Sequence, residues 1–392
     1  MGTEHALVAH YHEIGLKGRN RNFFEEALDR NLRRALRGTG YRKIRRQFGR
    51  VVIDMEPNGN VAEAAQRAAR VFGVAYIGVG RRVELDLQAI GDLALELISA
   101  EQFDSFAVRA RRTYSSFDTK SQEINVTVGQ RIVDATGGKV DLKNPDATIW
   151  IELFAKSGVI YRERLRGPGG LPVGTSGKML ALLSGGIDSP IAAWRMARRG
   201  AEVEFIHFHG RPYTDPSSIR QATELAQALT GYQLKSILHL VPLGDAQRDI
   251  VMTAPANMRV VLYRRAMMRI AERLAEERGA VALITGDSLG QVASQTIENI
   301  RTVNAVVKDI EVFRPLIGMD KQEIIDQAMQ IGTYEISTRP HQDCCVLFEA
   351  REPATRANVG IAEKAESELD IDALVGRALE GAETMEFELP DP

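Results

Sequence analysis

The 392-residue sequence predicts an α/β protein in which a doubly wound parallel-sheet domain follows two small α+β domains. Three observations carry that expectation. The chain is longer than one hydrophobic core usually serves. Its strand pattern changes from short strands alternating with helices to continuous apolar strands alternating with helices, and the latter are buried on both faces. Between the two patterns lies RGPGGLPVGTSGK, Arg166 to Lys178, where seven of 13 residues are Gly or Pro. Such a run interrupts helix and strand alike. The expected division is 1–60, 61–166, a linker at 167–178, and 179–392 with an acidic tail.

The first domain opens with a strand at Ala6 to His12. A helix follows over about Asn22 to Arg37, where Phe24, Leu28, Leu32 and Leu36 recur every fourth residue as one buried stripe. Arg30, Arg33, Arg34 and Arg37 stand opposite, as a solvated face or a binding one. Ile44 to Met55 has strand character. The second domain has helices at Val61 to Phe72, Leu87 to Ser99 and Ser121 to Thr136. Its strands are Val74 to Val83, Ser105 to Arg111 and a hairpin at Thr148 to Leu165 that turns at Lys156-Ser157-Gly158. After the linker the strands are Met179 to Leu183, Val203 to Phe208, Ser236 to Val241 and Val281 to Thr285. The tail after residue 360 is either helical or loose.

Composition excludes several classes. Hydrophobic residues at 44% and charged ones at 26% are ordinary for a globular protein. No apolar run approaches the roughly 20 residues of a spanning helix. The opening MGTEHALVAHYHE lacks a basic segment ahead of an apolar one, so a cytoplasmic protein with no membrane partner is expected. Two adjacent cysteines fit a reducing compartment.

The net charge of −2 conceals a gradient. Residues 1–170 carry a net +6 and residues 360–392 a net −8. Between Lys17 and Arg50, 12 basic residues face only Glu25, Glu26 and Asp29. Further basic positions recur at Arg109, Arg111, Arg112, Lys120, Arg162, Arg164 and Arg166. Two successive domains with basic strand ends favour a polyanion such as nucleic acid.

The strongest local signal is LLSGGIDSP, Leu182 to Pro190, between a buried strand and a helix. A strand-to-helix loop points backbone N–H groups over the strand's carboxyl end, where the helix dipole adds positive potential. Gly185 and Gly186 admit an anion close to the backbone, and Ser184 and Ser189 can donate hydroxyl hydrogen bonds. Asp188 is unsuited to phosphate but suited to Mg²⁺ carried by phosphates. The loop lacks the GK[ST] ending of a Walker A motif and the GxGxxG of a dinucleotide fold.

SGGIDS resembles the PP-loop of ATP pyrophosphatases, whose fold is that of the adenine nucleotide alpha hydrolases. YHEIGLKGRNR (Tyr11 to Arg21), GGLPVGTSGKMLALLSGGIDSP (Gly169 to Pro190), TGDSLGQVASQTIENI (Thr285 to Ile300) and DCC (Asp343 to Cys345) narrow the likeness. Together they are similar to the tRNA 4-thiouridine synthetases, or tRNA sulfurtransferases, in the form without a rhodanese domain. The resemblance implies a ferredoxin-like first domain, a THUMP second domain that binds the tRNA acceptor end, and an adenylating third domain. ATP is then expected against Leu182, Leu183, Ser184, Gly185, Gly186, Ser189, His207 and Phe208, with Arg264, Gly286 and Gln295 as further contacts. The tRNA contacts expected are Lys17, Arg19, Arg21, Arg109, Arg111, Arg112 and Lys120. Asp287 and Lys321 are weaker candidates, for metal or tRNA and for phosphate charge.

The implied chemistry is adenylation of the uridine C4 oxygen, at position 8 in this family, and its replacement by persulfide sulfur. Cys344 matches the family's sulfur-handling position. Residues alone leave other readings of HQDCCVLF open: two small buried cysteines, or a zinc site with His341, His207 and His209. With no third cysteine in the sequence, a cysteine desulfurase is the expected donor. Supply of sulfur to thiamine synthesis, a second role of the rhodanese-bearing relatives, is put in doubt. A homodimer is expected from relatives. The rival readings are a PP-loop ligase or amidotransferase that uses ammonia, and a non-catalytic tRNA-binding protein.

Overall fold

A computed structural model describes residues 4–47, 49–113, 117–340, 342 and 354–389. They divide into two compact units, Met1–Pro172 and Val173–Leu389. No described helix is long and apolar enough to cross a membrane.

The first unit runs β1 (His5–His10), α1 (Arg21–Ala35), β2 (Tyr41–Gln47), β3 (Arg50–Met55), α2 (Val61–Ala68) and β4 (Tyr76–Val83). It continues with α3 (Leu87–Ile98), β5 (Ser105–Arg112), α4 (Ser121–Thr136), β6 (Lys139–Val140), β7 (Ala147–Leu153) and β8 (Gly158–Arg166). All eight strands share one sheet in the order β2-β3-β1-β4-β8-β7-β5-β6. Of the stripe expected on α1, Leu28, Leu32 and Leu36 are fully buried and Phe24 partly so, while Arg30, Arg33 and Arg37 are exposed and Arg34 is half-buried. The single strand expected over Ile44 to Met55 is a hairpin of β2 and β3 instead. Gly49, at φ +80°, makes the break, in a backbone region that glycine enters without steric cost.

The second unit begins with β9 (Lys178–Leu182), α5 (Asp188–Arg198), β10 (Glu202–His209), α6 (Ser217–Gln233) and β11 (Lys235–Pro242). Then come α7 (Gly244–Thr253), α8 (Arg259–Arg278), β12 (Ala282–Ile284), α9 (Ile297–Asn304), β13 (Glu311–Phe313), α10 (Lys321–Ile331) and α11 (Tyr334–Ser337). The last elements are α12 (Val359–Glu366), α13 (Ile371–Glu380) and β14 (Glu383–Glu388). The sheet order is β13-β12-β9-β10-β11-β14. β9 to β13 pair in parallel, and only β14 is antiparallel. The order reverses at β9, which lies between β10 and β12, and open α/β sheets bind ligands at the carboxyl ends of such strands.

The acidic tail is ordered into α12, α13 and the edge strand β14. Its buried Ala362, Leu374 and Ala378 join the core that contains α8. Glu366 accepts two hydrogen bonds each from Arg265 and Arg269, all between 2.8 and 2.9 Å. Burial alone would raise the Glu366 pKa, but the two arginines outweigh it and hold the carboxyl below its ordinary range. Glu366→Ala leaves Arg265, 2% exposed, without its counter-charge. It is expected to cost about 3–5 kcal/mol in urea unfolding at pH 7. Because the folded pKa is depressed, the ion pair's stabilisation is present above the unfolded carboxylate value and is lost as pH falls through the folded one. The gap between the parent and the variant should therefore narrow in acid. A gap unchanged at pH 3 would contradict the ion-pair account.

Candidate active site

The phosphate loop occupies the carboxyl end of β9. Its shape is held from inside: the Ser184 amide donates to Ser189 Oγ (2.8 Å), the two hydroxyls lie 3.0 Å apart, and the Gly186 amide donates to Ser184 Oγ (3.3 Å). A Cβ on Gly186 would meet nothing closer than Ser184 Oγ at 3.5 Å. Packing within the chain therefore does not demand glycine there; the room it leaves lies over the loop.

Neighbouring strands brace the loop. Leu183, 2% exposed, donates its amide to the Ile206 carbonyl, and its carbonyl lies 2.8 Å from His207 Nδ1. A carbonyl only accepts, so His207 donates from Nδ1, and its Nε2 lies 3.3 Å from Ser218 Oγ. The imidazole is thus part of the scaffold. The Phe208 side chain belongs to the α7–α8 core, together with partly buried Leu182. His209 is pushed down to about 4, chiefly by burial and further by His207 and Arg211, and is neutral near pH 7.

The loop after β12 packs against the start of α5. A Cβ on Gly286 would lie 2.8 Å from the Ser189 amide nitrogen and 2.9 Å from its Cα, so only glycine permits this approach. The next residue, Asp287, is 4% exposed and does not face solvent as a free ligand for metal or tRNA. It accepts from Arg264 (2.5 Å), Thr285 Oγ1 (2.8 Å) and Arg314 (3.3 Å). Burial would raise its pKa, but Arg264, Thr285 and Arg314 hold the carboxyl below its usual value. Arg264 also donates to the Ser294 carbonyl at 2.9 Å, which fixes the guanidinium beside the loop carrying Gln295. Gln295 Oε1 is buried with no hydrogen-bond partner among the described residues.

Asp188, the first residue of α5, pairs with Lys321 at 2.5 Å and accepts from Gln291 Nε2 at 2.9 Å. Lys321 is the first residue of α10, whose capping box joins Asp320 and Glu323. A lysine at a helix amino terminus opposes the macrodipole by about 0.3–1 kcal/mol. The amino terminus of α5 and the Lys321 ammonium therefore meet at one carboxylate, whereas the α10 terminus is closed by its own Asp320 and Glu323. That concentration of positive potential suits a polyphosphate better than it suits the carboxylate alone.

The segment that leads towards the cysteines is attached to the same loop. Gln221 Nε2 donates to the Gly185 carbonyl (3.1 Å) and the Ile336 carbonyl (2.6 Å), and Ser337 Oγ donates to the Gly186 carbonyl (3.2 Å). His341 and Asp343 to Cys345 lie outside the described residues.

In the first unit, the basic residues nearest the amino terminus are largely engaged. Lys17 pairs with Glu13 (3.3 Å), and Arg21 bonds Glu25 (2.6 Å) and the Tyr11 hydroxyl (2.9 Å). Arg19 is exposed. Arg109, Arg111, Arg112 and Lys120 are all exposed, with Arg112 held by the carbonyls of Phe117 and Thr119 and Arg109 by that of Leu142 (3.0 Å). A cleft of about 510 Å³ opens between strands here, lined among others by Tyr76, Arg109, Arg111, Asn125, Trp150 and Arg164. The Arg164 guanidinium lies over Trp150 (3.1 Å to the ring centre) and Tyr76 (4.3 Å). Beneath it, buried Glu152 is held by Arg50 (2.6 Å), His10 (2.7 Å) and the Tyr161 hydroxyl (2.6 Å). The aromatic half of this cleft is absent from the sequence expectations. Trp150 meets Arg109 only through the parallel register of β5 and β7, which no local pattern discloses.

Residues 174–371 match the family described as thiamine biosynthesis protein (ThiI). Residues 6–78 match the ThiI ferredoxin-like domain, and residues 84–162 the THUMP domain. The chain is similar to the probable tRNA sulfurtransferase of Caldanaerobacter subterraneus subsp. tengcongensis, at 42% identity over 94% of this chain and 96% of that one. The probable tRNA sulfurtransferase of Thermus thermophilus is 41% identical over 98% and 94% of the two chains. Among solved structures, a 4-thiouridine synthetase in complex with RNA and bound ATP has a TM-score of 0.88 at 36% identity. That match covers 98% of this chain and all of the other.

Proposed function

Because the chain belongs to the ThiI family of tRNA sulfurtransferases, we propose how its own residues divide the labour of ATP-dependent tRNA thiolation. The observation that carries the proposal is the convergence of the phosphate loop, Asp188 and Lys321 at the carboxyl end of β9. There ATP lies with its phosphates over Ser184 to Ser189 and its nucleoside near Leu183, His207 and Phe208. Gly286 keeps the β12 loop close, Asp287 aims Arg264, and Gln295 has a buried oxygen available for the nucleotide.

A uridine C4 oxygen is a poor leaving group, so it first attacks the ATP α-phosphorus and pyrophosphate departs. The loop N–H groups and Lys321 stabilise the charge that builds on pyrophosphate. Asp188 would hold Mg²⁺ brought by the phosphates: its carboxylate is only partly buried beside the loop, and its Lys321 and Gln291 contacts can give way to the ion. When bound, the ion supplies Lewis-acid neutralisation of the leaving group. The terminal sulfur of a Cys344 persulfide, loaded by a cysteine desulfurase, then attacks C4 and expels AMP. A second thiol attacks the Cys344 sulfur, which frees 4-thiouridine and leaves a disulfide.

The first unit grips the tRNA acceptor end and presents uridine 8. Its cleft combines ring faces with exposed Arg109 and Arg111, the pairing that single-stranded nucleotides favour. The test is product stoichiometry. With ATP, unmodified tRNA, a desulfurase and cysteine, one AMP should form per 4-thiouridine. ADP and phosphate as the nucleotide products would refute cleavage at the α-phosphorus.

A further inference from the structure

We infer that Gln221 is a positioning residue that ties the phosphate loop to the segment carrying the sulfur, so that activation of uridine and delivery of sulfur stay coupled. The inference rests on the reading of Cys344 given above. Gln221 is 5% exposed on the first turns of α6, and its amide group bridges Gly185 and Ile336. Both of its N–H bonds are spent on carbonyls of two segments far apart in sequence. Ser337, 6% exposed, adds the parallel link to Gly186.

The trans peptide is planar, with C=O and N–H on opposite sides. Fixing the Gly185 and Gly186 carbonyls towards Gln221 and Ser337 therefore aims the amides of Gly186 and Ile187 the other way, that of Gly186 onto Ser184 Oγ and that of Ile187 over the loop. The bonds that orient the anion-binding face are the same bonds that locate residues 336 and 337. Further along, the Gln342 amide donates to Ser217 Oγ (3.1 Å) and its side-chain oxygen accepts from the Asp215 amide (3.2 Å). Arg339 pairs with Glu224 at 2.5 Å. Cys344 follows Gln342 by two residues in the sequence. Rotation of a loop peptide as pyrophosphate binds or leaves thus shifts the anchor of the sulfur-bearing segment directly.

The tests use Gln221→Leu, close in size and without the amide, and Ser337→Ala, with melting temperature recorded for each. In the parent enzyme AMP and 4-thiouridine form one to one. In the variants the adenylate waits for misplaced sulfur and is lost to water, so AMP per thiouridine should rise about tenfold, in line with the cost of a small misplacement of reacting groups. A second readout is the rate of Cys344 alkylation in a Cys345→Ser background. ATP with Mg²⁺ should change that rate in the Gln221 parent and leave it unchanged in the variants. Variants that stay one to one and keep the ATP response, however slow, overturn the coupling. A parent enzyme whose Cys344 ignores ATP overturns it too. A parent that forms thiouridine without AMP, or without Cys344, instead overturns the underlying reading. If one variant does not fold, the other carries the comparison.

Discussion

Asp188→Asn is expected to lower the rate of AMP formation by about a hundredfold to a thousandfold, with a much smaller change in ATP affinity. The substitution keeps size and hydrogen bonding but removes the charge that pairs with Lys321. In the free enzyme the carboxylate offsets an ammonium placed against a helix dipole. If Asp188 holds the metal proposed above, that contact would strengthen as the pyrophosphate oxygens gain charge, and so would be stronger in the transition state than in the ground state. Loss therefore falls on turnover rather than on binding. Lys321→Gln should act on the same step, and the double variant should lose less than the product of the two single losses, since the groups are in contact. An Asp188→Asn enzyme within threefold of the parent would remove Asp188 from the chemistry.

Cys344→Ser should reduce thiolation to below about 1% of the parent while AMP formation on tRNA persists, because a hydroxyl cannot carry a persulfide. Cys345→Ser separates the two thiols. If an added reductant such as dithiothreitol cleaves the Cys344 adduct, that variant should thiolate within about threefold of the parent. The vicinal position makes a ring between the two cysteines strained. An external thiol is then an effective substitute. Full thiolation by Cys344→Ser would show that the sulfur travels by another route.

The parts of the site visible in the sequence are those set by neighbours along the chain. SGGIDS between an apolar strand and a helical run is one local unit, and β9, the loop and α5 reproduce it. The stripe on α1 is local in the same sense. What could not be read depends on pairings across long stretches of chain. Asp188 meets Lys321 across 133 positions, and Gln221 meets Ile336 across 115. Gly286 is legible as part of a motif, but its physical cause, close approach to Ser189, appears only in three dimensions.

Charge was the most misleading signal. The acidic tail could be helical or loose; it is helical in α12 and α13, Glu366 closes on Arg265 and Arg269, and β14 completes the sheet. Asp287 has the look of a metal ligand in TGDSLG, but two arginines and a threonine already occupy its carboxylate. In the first unit, counting arginines pointed to RNA while missing that Trp150 and Tyr76 give Arg164 its place. Formal charge states what a residue carries; only packing states which partner it serves.

The central claim is that ATP is cleaved at its α-phosphorus by a tRNA uridine, and exchange of labelled pyrophosphate into ATP tests it most directly. The intact chain, with Mg²⁺ and unmodified tRNA but no sulfur donor, should catalyse exchange that disappears when the tRNA is omitted or its uridine is already thiolated. Absence of exchange with competent tRNA, or exchange that proceeds equally without it, would contradict the account.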